Sequence, residues 1–138
     1  MTHIPPFETA KRHFLDGMAA IERGEFAAAE EHLQASLGAL PGRISTLTNL
    51  AAAQIKLRKY EEARANASVS VELDAENALG WMNVGIASMY LGHHEASLNA
   101  FDRALELQPG LAEALTNKGA RSEEHTSELQ SRQYLVCR

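Results

Sequence analysis

Apolar residues recur three or four apart through residues 10 to 111, and Gly, Pro and charged residues interrupt them at regular distances. Spacing of that kind lays an apolar stripe along a helix, so the pattern predicts an all-α chain. The breakers give the boundaries. Pro5 and Pro6 disfavour helix at and before them, which places the first helix start at Phe7 to Thr9. Gly24 and Gly92 each close one helix with a left-handed residue and allow a tight reversal, while Arg58 stands where the middle of the chain would need a third such glycine. Pro41 and Pro109 stop the helices before them. The predicted helices run from about 8 to 22, 26 to 39, 44 to 56, 60 to 73, 78 to 90 and 94 to 107, with a seventh beginning near 112. Each is about 13 to 15 residues long, or roughly 20 Å of rise.

The interruptions repeat with one period. Residues 10–43, 44–77 and 78–111 are consecutive blocks of 34 residues with no insertion, and a fourth begins at Ala112. Gly17, Ala51, Gly85 and Gly119 share one place in the block, and Ala29, Ala63 and Ser97 share another. Small residues are needed wherever two helices cross closely, because a larger side chain overpacks the contact. Phe26, Tyr60 and His94 share a further place, as do Leu33, Ala67 and Phe101; both sets are expected to fill the space between helices. Isolated helix pairs of this length cannot bury their apolar stripe, so stability must come from stacking block on block. The expected organisation is a leader at 1–9, a repeat domain at 10–120 and a separate tail at 121–138.

Trp81, Gly85, Tyr90, Gly92, Phe101, Ala104 and Pro109 in the third block, with LTNLAAA, KYEEA and SVELD in the second, carry a family resemblance. The chain resembles a tetratricopeptide repeat (TPR) protein over residues 10–120. The first block is the loosest, with His13 in the place of Trp81 and Asp16 in the place of Leu50 and Val84, as suits an end repeat facing solvent. The resemblance implies a right-handed α-solenoid of antiparallel helix pairs, with three full repeats and the start of a fourth. It also implies a concave groove, lined by the first helix of each block, that binds peptides or other proteins. In that geometry Phe14, Met18, Thr48, Ala52, Leu79, Met82, Ile86 and Met89 line the groove. Three of these are Met, whose adaptable side chains suit an apolar strand or helix from a partner. Asn49, Asn83 and Asn117 recur every 34 residues and are expected to form a column along the groove. An Asn side chain can donate to and accept from a peptide backbone at once. The bland alternative is that these amides bond only to nearby backbone or water. A subset of the family clamps the C-terminal carboxylate of chaperones with Lys, Arg and Asn side chains. This chain departs from that subset, because Phe14, Met18, Leu79 and Asn83 occupy clamp places and Asn49 alone matches.

Composition narrows the partners. The chain has 13 basic and 18 acidic residues for a net charge of -5, and it lacks the clustered basic face that meets phosphates, so nucleic acid is not an expected partner. Neither a run of about 18 apolar residues nor a signal-peptide pattern is present, so no membrane partner and a cytoplasmic location are expected. Cys137 is the single cysteine, which agrees with a reducing compartment.

The tail needs separate treatment. RSEEHTSELQS, from Arg121, resembles the translation of a short-read sequencing adapter, and the resemblance resumes at Tyr134 through Arg138. Its three basic and three acidic residues leave the net charge unaltered. Read as non-native, it removes His125 and Cys137 from the functional inventory and places the end of the genuine sequence near Ala120.

Catalytic chemistry finds little to use. His93, His94 and Glu95 are consecutive at a helix start, so their side chains splay instead of converging on a metal. His13 and Asp16 share a helical face without a Ser or Cys nucleophile beside them. No phosphate loop, nucleotide fingerprint or zinc spacing is present. No cofactor, metal or catalytic residue is therefore expected. The preferred reading is a non-enzymatic scaffold that binds a protein or peptide. The alternative is the N-terminal, substrate-recruiting TPR region of a truncated bacterial glycosyltransferase or other transferase. Self-association is a further expectation, because the half-complete fourth block would leave apolar surface for a second copy to cover.

Overall fold

A computed structural model describes residues 4–111. Six helices follow one another: α1 (Pro6–Glu22), α2 (Phe26–Ala39), α3 (Ile44–Lys56), α4 (Tyr60–Leu73), α5 (Ala78–Tyr90) and α6 (His94–Leu107). Five of them match the expected spans. The first begins earlier, at Pro6, because a proline in the first helical position gives up only an N–H that has no helical partner anyway. The Pro5 carbonyl accepts the opening bonds from the Glu8 and Thr9 amides. The expected seventh helix, the fourth block, Asn117 and the tail lie outside the described residues.

The reversal inside each block is the same structure three times. The Glu25, Lys59 and His93 amides donate to the Ala20, Gln54 and Ser88 carbonyls at 2.8, 2.8 and 2.9 Å. A wrapped bond of this kind needs a left-handed residue just before the donor. Gly24 and Gly92 supply it with φ of +76° and +84°, and Arg58 adopts φ +64° in the same place. A side chain there costs about 1–2 kcal/mol against glycine's free access. Part of that is returned by the lower entropy of an unfolded Arg. Arg58→Gly is therefore expected to raise the unfolding free energy by about 0.5–1 kcal/mol, seen as a higher urea midpoint with unchanged slope.

Consecutive helices pack on one another, and α1 with α3 and α3 with α5 are also in contact. Among the described residues α2, α4 and α6 do not approach one another within 8 Å between Cα atoms. The first helices therefore form a close inner layer and the second helices a spread outer one, the arrangement that curves a solenoid. Within a block the crossing is tight at the small residues. A Cβ on Gly17 would lie 2.8 Å from the Leu33 side chain, and one on Gly85 would lie 2.7 Å from the Phe101 ring. Ala51, Ala63 and Ala67 are fully buried in the middle block.

Phe26 and Tyr60 do more than fill a helix pair. The Lys56 ammonium lies 5.7 Å from the Phe26 ring centroid, and the Tyr90 ring stacks on Tyr60 at 4.5 Å with 8° between planes. Both contacts join one block to the next, and residues 56 and 90 hold the same place in their blocks. They form a repeated rung between blocks, worth about 0.5–1.5 kcal/mol for an aromatic pair. His94, in the place of Phe26 and Tyr60, is exposed.

A polar network also spans the first two blocks. The buried Glu30 carboxylate accepts from the Lys59 ammonium at 2.8 Å and from the Gln54 amide at 3.1 Å, and Gln54 in turn accepts from the Asn66 amide at 2.8 Å. Burial by itself would raise the Glu30 pKa, but the hydrogen bonds from Lys59 and Gln54 and the Lys59 charge outweigh it and hold the carboxyl below its ordinary value. A depressed folded-state pKa gives stability that is present above the unfolded value and is lost as pH falls through the folded one. The wild type is therefore expected to lose stability on acidification below about pH 4.5 more steeply than Glu30→Gln, as read from urea unfolding at stepped pH.

Candidate functional site

The inner layer carries the expected groove residues, and its geometry divides them. Phe14, Met18, Leu79 and Met89 are half-buried. Thr48, Asn49, Ala52, Met82, Asn83 and Ile86 are buried. These six are expected groove residues, and their burial leaves little of their surface open to a partner. The physical reason lies in the contact of α3 with α1 and α5: side chains aimed toward the neighbouring first helix become packing between repeats. Ala52, Met82 and Ile86 belong to the continuous hydrophobic core, against which Phe14 and Met18 pack from its edge.

Thr48 is the polar hinge of this layer. Its hydroxyl donates to the Ile44 carbonyl at 2.8 Å and accepts from the Asn77 amide at 2.9 Å. Its carbonyl accepts from the Asn83 amide at 3.1 Å, a bond that ties α5 back to α3. One block earlier the equivalent bond would run from Asn49 to Phe14. Asn49 instead donates to the Ser45 carbonyl, four residues back in its own helix, at 2.8 Å. Each amide thus has one N–H engaged inside the chain, so the asparagine side chains are held in place by the fold. The Asn83 carbonyl oxygen is buried without a hydrogen-bond partner. From the sequence alone, the period located these residues but not the direction of their amides.

Trp81 fills the core edge and its indole N–H donates to the Ala75 carbonyl at 2.9 Å. The His13 and His32 rings stack at 6.1 Å, and Asp16, His93, His94 and Glu95 are exposed. Among the described residues no three His, Cys, Asp or Glu side chains come together as a metal site. No described helix is long and apolar enough to cross a membrane.

The tetratricopeptide repeat family model matches residues 78–111, the whole of the third block. The repeated reversals, the 34-residue period and this match agree. The chain is a tetratricopeptide repeat protein. A curated relative, the Hsp70-Hsp90 organizing protein of Triticum aestivum, is 30% identical over 105 residues, which are 71% of this chain and 18% of that protein. The TPR chain thus spans less than a fifth of that relative's length. The Arabidopsis OM64 TPR domain has a TM-score of 0.73 at 17% identity, covering 94% of this chain and 96% of its own. The second TPR of Spaghetti (RPAP3), bound to the HSP90 peptide SRMEEVD, has a TM-score of 0.71 at 24% identity, covering 73% of this chain and 94% of its own. These likenesses establish an all-α TPR solenoid for the fold.

Proposed function

We propose that this TPR array is a protein-interaction scaffold that binds a peptide or protein segment along the layer formed by α1, α3 and α5, without catalysis of its own. The observation that carries the reading is the set of half-buried apolar side chains on that layer: Phe14, Met18, Leu79 and Met89. They keep part of their surface in water, Phe14 and Met18 at the edge of the core, and covering that surface would drive association. The structural relative with a bound HSP90 peptide supports peptide binding as the use of such an array. A cytoplasmic location fits this reading. The alternative, a recruiting region of a transferase, draws no support from these relatives, and self-association through the fourth block concerns residues outside those described.

The test is a selection of randomised, end-blocked dodecapeptides on the immobilised chain, followed by calorimetry on the enriched peptide. Met18→Glu with Leu79→Glu is expected to weaken binding more than about tenfold, because two charges would have to be desolvated in the contact. A circular dichroism spectrum like that of the wild type would show that the fold is retained. Equal affinity for wild type and double variant would remove these residues from the site.

A further inference from the structure

Three devices let a groove hold an acidic peptide end: converging cations, free side-chain amides and an attractive net charge. Each is limited on the described inner layer, where the cations do not converge and the amides are partly engaged. Lys56 lies over the Phe26 ring, and the Arg43 guanidinium lies 5.6 Å from the Phe7 ring centroid. The Asn49 and Asn83 amides donate to the Ser45 and Thr48 carbonyls. Lys11, on the α1 column with Phe14 and Met18, is exposed, and one solvated ammonium attracts a carboxylate only weakly. The chain as a whole carries -5, which repels an acidic ligand. What the layer offers instead is hydrocarbon and thioether surface, with an adaptable Met on α1 and another on α5.

We infer that the groove takes an uncharged, apolar segment from within a partner's chain and does not require a free C-terminal carboxylate. This specificity rests on the groove reading above. It predicts a different ligand class from SRMEEVD, the acidic peptide held by the structural relative. Affinity comes from burial of apolar side chains, so it depends little on ionic strength.

The deciding experiment uses the full chain and three probes in calorimetry: SRMEEVD with a free carboxylate, SRMEEVD as its C-terminal amide, and the end-blocked peptide obtained by selection. The expected result is binding of the end-blocked peptide at least about tenfold tighter than either form of SRMEEVD, changing by less than about twofold between low and high salt. Phe14→Lys with Leu79→Lys should then reverse the preference, gaining affinity for the free-carboxylate probe and losing it for the blocked one. Wild-type binding of SRMEEVD that collapses on amidation would overturn the inference while leaving the groove reading intact. Binding by none of the three probes would overturn both. If the double variant fails to fold, the comparison of probes on the wild type still decides.

Discussion

Leu50→Ala is expected to lower the unfolding free energy by about 2–5 kcal/mol, measured by urea unfolding followed at helical wavelengths. Leu50 is 2% exposed on α3, the helix in contact with α1, α2, α4 and α5. Removing its branched end leaves a void that tightly packed neighbours cannot close, and lost transfer energy adds to the cavity cost. Position magnifies the effect. In a stack held together by nearest-neighbour interfaces, damage to the middle block weakens the contacts on both sides. Leu33→Ala, a comparable truncation in the first block, should instead promote local fraying of α1 and α2, with α3 to α6 retained. Amide hydrogen exchange separates the two outcomes, since fraying removes protection only from the end block. A loss under about 1 kcal/mol for Leu50→Ala would contradict its place at the centre of the stack.

Gly85→Val is expected to destabilise by about 1–3 kcal/mol for the opposite reason, overfilling. A Cβ alone would stand 2.7 Å from Phe101 Cδ1 and Cε1, closer than carbon atoms approach, and valine adds two methyl groups beyond it. The helical preference of valine over glycine recovers only a few tenths of a kcal/mol. Phe101→Ala should itself destabilise, yet in that background Gly85→Val should cost much less, because the added methyl groups enter vacated space. The double-mutant cycle is expected to show a coupling of about 0.5–3 kcal/mol. Additive losses would mean that the ring yields easily and that α5 and α6 do not meet through this pair.

Much of the fold was legible because helix boundaries depend on local chemistry. Gly24, Arg58 and Gly92 marked one reversal by their spacing, and the left-handed backbone at Arg58 shows that the geometry of the turn prevails over the side chain placed there. Gly17 and Gly85 announced close crossings, and Leu33 and Phe101 are the side chains that meet them. Pro6 was misread as a barrier because proline is hostile to a helix interior but welcome in its first turn. The candidate site was less legible. Met82 and Met18 share the same apolar character and both belong to the inner helices, yet one lies in the core and the other at its edge.

The sequence by itself determined the all-α class, the repeat period, the reversals and the places where helices cross, since each follows from backbone preference or side-chain size within a few turns. Tertiary structure alone decided which side chains of the inner helices stay accessible. That depends on how closely α1, α3 and α5 approach, and their approach buries Thr48, Asn49, Ala52, Met82, Asn83 and Ile86. The direction of an asparagine amide was likewise settled by which helix carbonyl lies within its reach as a second acceptor partner. For Asn83 that carbonyl belongs to Thr48 in the preceding block, and for Asn49 to Ser45 in its own helix.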